Sequence, residues 1–179
     1  MIKEQKEIYN RIIERGNGII EEWIDQHVDL ANLYPLSVNP IRLITVTVNG
    51  KVNVLLASVT IGNNNSISNA SCNDIVSLID VETGLTCSHG MDLNLVEYVA
   101  HPFTNELIKD VQIPFWNEMI DFIEKVSLLD SRIGYVGWDV AVSKQGPVLI
   151  EGNASPGYKF FQLSSELKSG YKEKYLEFL

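Results

Sequence analysis

The fold is decided by the stretch Gly137-Trp138-Asp139-Val140-Ala141-Val142-Ser143-Lys144-Gln145-Gly146-Pro147-Val148-Leu149-Ile150-Glu151-Gly152-Asn153. Two apolar runs flank a turn at 144–147, a pattern that predicts a β-hairpin. Residues two apart on a strand point to the same face, so Glu151 and Asn153 project together. Folding at the turn brings Asp139, near the start of the first strand, back opposite these two residues.

Two carboxylates and an amide oxygen then converge on one spot. This oxygen set suits Mg²⁺ or Mn²⁺ rather than zinc. The alternative is that these acids are solvated at strand ends, with no ligand. Two features favour the metal site: Glu151 directly follows an apolar run and needs a partner there, and the turn at 154–157 aims Asn153 into a cleft.

Composition narrows the class of protein. The 179 residues, 45% hydrophobic and 21% charged, suffice for one domain with a sizeable core. A net charge of −9 argues against nucleic acid and against an anionic membrane surface as partners. No apolar run is long enough to span a membrane, and the charged N-terminus has no signal-peptide core. Because Cys72 and Cys87 form no CxxC pattern, we expect reduced thiols and a cytoplasmic protein.

The pattern along the rest of the chain predicts an α+β fold with a mostly antiparallel sheet. Asn49-Gly50 predicts a hairpin between strands over 42–49 and 51–61. The other predicted elements are a helix over 2–15, a strand over 18–24, a loop or single helical turn over 25–34, a strand over 74–80, short extended pieces over 85–112, a helix from Pro114 to before Asp130, the hairpin over 133–151, and closing helices over 156–167 and 171–179.

Taken in order, these motifs resemble the sugar-transfer-associated family of the ATP-grasp superfamily. The resemblance rests on Val136–Asp139, on Gly146–Asn153, and on the motifs Ser37-Val38-Asn39-Pro40-Ile41-Arg42, His101-Pro102 and Ile113-Pro114-Phe115-Trp116. It extends over nearly the whole chain in register. It implies that residues 1–179 are a single domain, an ATP-grasp C-terminal catalytic lobe preceded by a short helix and an inter-lobe linker strand at 18–24.

The resemblance also implies roles for individual residues. Asp139, Glu151 and Asn153 match the positions that hold Mg²⁺, or Mn²⁺, against the ATP phosphates. Arg42 matches a catalytic arginine that contacts phosphate and the developing oxyanion; the alternative for it is a surface ion pair. The linker strand matches one whose backbone contacts the adenine while a nearby acid takes the ribose, which implies nucleotide contacts at Glu21, Glu22, Trp23 and Ile24. For the two glutamates the alternative is ordinary strand-edge acids.

The implied function is an ATP- and Mg²⁺-dependent ligase of the carboxylate–amine type, which activates a carboxylate as an acyl phosphate. The family name associates it with cell-surface polysaccharide or sugar-transfer biosynthesis, and its substrates would be small-molecule or sugar-linked. Family members carry a preceding lobe with a phosphate-binding lysine, and only about 17 residues precede the linker strand here. We therefore expect that lobe to be missing, with the chain a fragment or the partner of a polypeptide that supplies it. The alternatives are a truncated, non-catalytic ATP-grasp-like binding or partner module, and an α+β binding protein whose acids are structural.

Two further features stay open. His101 either positions a substrate or makes structural hydrogen bonds. The asparagine-rich loop after residue 61 either contacts phosphate or substrate or forms a solvated turn; its asparagines are Asn63, Asn64, Asn65 and Asn69.

Overall fold

One antiparallel β-sheet organises the chain. The computed structural model describes residues 3–14, 16, 22–63, 74–130, 132–157, 159–162 and 170–178. The strands are β1 (Ile41–Val48), β2 (Lys51–Ile61), β3 (Ile75–Ile79), β4 (Gly90–Met91), β5 (Glu97–Tyr98), β6 (Tyr135–Ser143) and β7 (Gly146–Asn153). The helices are α1 (Lys3–Glu14), α2 (Val28–Leu33), α3 (Trp116–Ser127) and α4 (Lys172–Leu176), with a short 3₁₀ turn at Phe160–Gln162.

The sheet order is β5-β4-β3-β2-β1-β6-β7, and each neighbouring pair is antiparallel. The predicted α+β class with an antiparallel sheet is therefore confirmed. At the first hairpin Asn49 and Gly50 have φ values of 51° and 77°, the left-handed backbone that a tight two-residue turn requires. The long-range pairing of β1 with β6 joins the two hairpins and brings Arg42 opposite Asp139.

The main core lies between one face of the sheet and α3. Trp116, Met119 and Ile123 recur at helical spacing on α3 and are at most 5% exposed, and they pack on strand residues such as Leu43 and Val140. Burial of each such side chain contributes about 1.5–3 kcal/mol. The opposite face carries a smaller apolar cluster, to which the C-terminal segment contributes Phe161 and Tyr175.

Three elements differ from the sequence prediction. No strand forms at residues 22–24, the described part of the strand predicted over 18–24; Gln26 alone bridges to Ser143, and α2 follows. The helix predicted from Pro114 begins at Trp116 because Phe115 has a φ of 55°, which a helical turn cannot contain. Pro156 does not begin a helix. After β7, Pro156 instead lies beside Gly137, Phe161 joins the smaller apolar cluster, and the described part of 156–167 holds only the 3₁₀ turn.

None of the helices within the described ranges is both long and apolar enough to cross a lipid bilayer.

Candidate functional site

The predicted ligands lie in neighbouring cross-strand positions on the sheet face opposite α3. Arg42 of β1 pairs with Asp139 of β6, and Asp139 pairs with Glu151 of β7. Asn153 lies two pairs further along, opposite Gly137. Side chains at paired positions point to the same side of a sheet, so the four polar groups converge.

Hydrogen bonds join these four side chains. The Arg42 guanidinium donates to both oxygens of Asp139, from Nε to Oδ1 at 2.5 Å and from Nη2 to Oδ2 at 2.8 Å. The Asn153 amide donates from Nδ2 to Glu151 Oε1 at 3.0 Å and to Asp139 Oδ2 at 3.4 Å. The side chains of Arg42 and Asp139 are 27% and 15% exposed, so their ion pair is partly withdrawn from water. The alternative for Arg42 is a surface ion pair; the ion pair in the structure is partly buried, and its partner is a predicted metal ligand.

A β-bulge sets the direction of Glu151. The register shifts between Asp139 and Val140: Asp139 pairs with Glu151, but Val140 pairs with Leu149, which leaves Ile150 as the extra residue. Leu149 therefore packs on the core while Glu151, two residues later, points to the opposite face. Without the bulge, strict alternation would put both side chains on one face.

Two glycines on β6 and β7 leave space for neighbouring side chains. A Cβ on Gly152 would lie 2.6 Å from Cζ3 of Trp138, whose indole Nε1 donates to Thr45 Oγ1 at 2.9 Å on the core side. A Cβ on Gly137 would lie 2.5 Å from Cβ of Pro156 and 3.3 Å from Nη1 of Arg42. Glycine at 137 thus leaves space for both the guanidinium and the chain that crosses the site.

The surroundings shift the pKa values of the Asp139 and Glu151 carboxyl groups in opposite directions. Burial raises the pKa of Asp139, while the hydrogen bonds and positive charge of Arg42 act in the opposite direction. The pKa of Glu151 is lowered, first by the hydrogen bond from Asn153 and then by one with Asp139. The surroundings therefore favour the neutral form of Asp139 and the ionised form of Glu151.

The donor set fits a hard cation. Two carboxylates and one amide oxygen leave room for water ligands, which Mg²⁺ usually keeps. Across the described ranges no group of three or more His, Cys, Asp or Glu could hold a metal, so the set depends on Asn153 for its third oxygen. The roles of these residues as metal and nucleotide ligands stay predictions.

The described linker residues, 22–24, precede a segment that meets the sheet at Ser143, beyond this cluster on β6. Glu21 lies outside the described residues, as do Asn64, Asn65, Asn69 and Cys72. Glu22 is exposed, Ile24 is half-buried and Trp23 is 87% exposed. The segment that follows runs beside the end of β6, where His27 N donates to the Val142 carbonyl at 2.8 Å. Ser143, the bridge partner of Gln26, is four residues from Asp139, about 13 Å at the usual strand rise.

His101 has a structural role. Its ring is fully buried, Nε2 donates to the Gly62 carbonyl at 2.8 Å, and Nδ1 accepts from Phe103 N at 3.2 Å. Burial lowers the pKa of His101, so the ring is neutral at pH 7. The ring thereby fixes the end of β2, where the asparagine-rich loop begins. Asn63, on that loop, donates its backbone N–H to Asp74 at 2.9 Å.

No role was predicted from the sequence for three residues around the site. Asn39 is fully buried: its Nδ2 donates to the carbonyls of Leu30 and Tyr34 at 2.7 and 2.9 Å, and its Oδ1 accepts from Gly62 N. This anchors the chain three residues before Arg42. Ser58 is 3% exposed and pairs with Arg42 from β2, and Pro156 packs over Gly137. Only Asn39 carried a usable signal, a polar residue before a proline that directly precedes an apolar strand.

Comparison with known proteins gives the family. Residues 7–172 match the sequence profile described as sugar-transfer associated ATP-grasp. Neither the curated proteins nor the solved structures that were searched include a match. The matched range covers nearly all of the chain. It includes Arg42, Asp139, Glu151 and Asn153. The chain therefore belongs to the sugar-transfer-associated ATP-grasp family.

Proposed function

We propose that the chain binds ATP together with Mg²⁺ on the sheet face formed by β1, β6 and β7. Membership in the ATP-grasp family supports nucleotide binding. The observation that carries the proposal is the convergence of Arg42, Asp139, Glu151 and Asn153 on one face. A cation, an arginine and phosphate oxygens are complementary there in charge and in hydrogen bonding.

Each side chain has a specific task in this proposal. Asp139, Glu151 and Asn153 hold Mg²⁺, which when bound neutralises and polarises phosphate oxygens. Arg42 donates to the phosphate whose charge grows during transfer, since a guanidinium presents donors in a planar array. Such a preorganised donor contributes about 3–4 kcal/mol to lowering a reaction barrier.

The base of the nucleotide is proposed to lie toward residues 21–24, where the expected contacts are Glu21, Glu22, Trp23 and Ile24. The exposed Trp23 indole offers an apolar surface there. The segment that follows meets β6 about 13 Å from Asp139 by strand rise, so an extended nucleotide would run along β6 from base to phosphates.

The reaction proposed is that of a carboxylate–amine ligase. A substrate carboxylate oxygen attacks the γ-phosphorus, ADP leaves, and an acyl phosphate forms. An amine then attacks the acyl carbon and displaces inorganic phosphate. The family description, sugar-transfer associated, supports a link to sugar transfer. A sugar-linked or small-molecule substrate and a place in cell-surface polysaccharide biosynthesis are part of the proposal.

A second candidate is a non-catalytic module that binds nucleotide or a partner chain without turnover. It is favoured by one observation: the four polar groups satisfy one another, with Arg42 committed to Asp139.

Calorimetry tests both candidates. Mg·ATP titrated into the wild-type chain should release or absorb heat, and Asp139→Asn and Glu151→Gln should weaken binding at least about tenfold, since ligand-shell changes commonly cost this much. Asp130→Asn, which makes the same change of charge at an acid paired with Arg132 outside the candidate site, is the control. Absence of binding by the wild type contradicts the proposal. ADP formation when carboxylate compounds are added with Mg·ATP, lost in Asp139→Asn, supports the ligase. Binding of Mg·ATP with no ADP formation in the presence of those carboxylates supports the module.

A further inference from the structure

The Arg42 guanidinium occupies the position of a cation at the candidate metal site. It contacts both Asp139 oxygens, and the pair is partly withdrawn from water. A metal ion that is to bind Asp139 must therefore compete with a charge-assisted, two-point hydrogen bond already made within the chain.

The Asn153 amide, like the Arg42 guanidinium, directs hydrogen-bond donors toward the carboxylates. Its Nδ2 donates to Glu151 and to Asp139, because two carboxylates can be satisfied only by the NH₂ end of an amide. To offer its oxygen to a cation, the amide must turn over. Arg42 and Asn153 thus both donate to the carboxylates. The predicted metal ligands are therefore already hydrogen-bonded to side chains of the same chain.

The guanidinium still has one edge free. Its Nη1 lies over Gly137 and donates to no residue in the described ranges. A phosphate oxygen could bond there before the contacts to Asp139 break. Phosphate could then replace Asp139 as the hydrogen-bond partner of the guanidinium, while the Asp139 carboxylate binds a metal ion.

We propose that Arg42 is an internal counter-cation that keeps Asp139, Glu151 and Asn153 closed to a free divalent metal and releases them to metal that arrives with a nucleotide. The inference rests on the proposed function and adds an order of binding to it. Metal alone binds weakly, while metal and ATP bind together, because the nucleotide's phosphates replace Asp139 as the partner of Arg42.

The test is to titrate Mn²⁺ alone into the full chain. Electron paramagnetic resonance of the free ion measures how much Mn²⁺ is bound. Arg42→Gln should bind Mn²⁺ about tenfold more tightly than wild type, since a partly buried two-point pair exceeds the worth of an exposed one. Arg42→Lys, which keeps the charge but loses the planar array, should fall between them. Arg132→Gln is the matched control, because Arg132 makes a similar two-point pair with Asp130 on the surface; its affinity should equal that of wild type.

The same titration with ATP present should reverse the order, with Arg42→Gln weaker than wild type. Far-ultraviolet circular dichroism checks folding, and if Arg42→Gln does not fold, Arg42→Lys must itself bind Mn²⁺ more tightly than wild type. Equal or weaker Mn²⁺ affinity in the folded variant, or no Mn²⁺ binding by any of the proteins, overturns the inference. Such a result leaves the proposed function standing if wild type binds Mn·ATP; failure of wild type to bind Mn·ATP overturns the proposed function itself.

Discussion

Replacement of Gly137 by alanine tests the way the sheet supports the site. The new Cβ would lie 2.5 Å from Pro156, 3.2 Å from Cδ1 of Ile44 and 3.3 Å from Nη1 of Arg42. Overpacking of this kind costs about 1–3 kcal/mol, partly offset by the roughly 0.5–1 kcal/mol that alanine gains over glycine in a strand. We expect a net loss of about 1–2 kcal/mol in the free energy of unfolding, measured by urea denaturation, and weaker Mg·ATP binding by calorimetry because the guanidinium is displaced.

The matched control is Gly134→Ala, just before β6. There the nearest atom to a new Cβ is the Thr47 carbonyl oxygen at 3.6 Å, an ordinary contact. This variant should be as stable as wild type or slightly more so, with unchanged Mg·ATP affinity. If Gly137→Ala equals Gly134→Ala in both stability and affinity, the reasoning about space above Gly137 is refuted.

Three other predictions concern the support of the site and its charge. Trp138→Phe removes the hydrogen bond to the buried Thr45 hydroxyl and should lower the free energy of unfolding by about 1–3 kcal/mol in urea; a loss under 0.5 kcal/mol would contradict the stated role. Because burial lowers the pKa of His101, the unfolded chain takes up its proton first, so stability should fall as pH drops below about 6.5. Urea midpoints between pH 7.5 and about pH 5.5 would show this, and a slope that persists unchanged in His101→Gln would exclude His101 as its source. Asn153→Asp adds a third carboxylate, so it should lower the melting temperature without metal and enlarge the rise caused by Mn²⁺; an unchanged rise would argue against a metal ligand at this position.

Local patterns predicted much of the fold because they act over short distances. The Asn49-Gly50 turn and the apolar runs around 144–147 determine both hairpins without help from the rest of the chain. The second hairpin alone brings the end of β7 back to Asp139, but a regular register would pair Asp139 with Ile150 rather than with Glu151. The predicted strand over 18–24 has β-like composition, but its described residues have no partner strand beside them, and composition alone cannot supply one.

The contacts that define the site lie beyond such patterns. The Arg42–Asp139 ion pair joins residues 97 apart, and it requires β6 to pair with β1. The bulge at Ile150 places Glu151 on the site face, although the sequence shows only a continuous apolar run there. The direction of the Asn153 amide depends on which groups surround it. Each of these is a tertiary effect that the residue types permit but do not specify.

Nuclear magnetic resonance with Mn·ATP tests the central claim most directly. A paramagnetic ion broadens the resonances of nearby protons, so Mn²⁺ held by Asp139, Glu151 and Asn153 should broaden the Asn153 side-chain amide at substoichiometric metal in the presence of ATP. The Arg132 backbone amide, which donates to Asp130 before the start of β6, should broaden less. Stronger broadening of the Asn153 side-chain amide than of the Arg132 backbone amide supports the site. An Asn153 amide that stays sharp, or that broadens no more than Arg132, would contradict it.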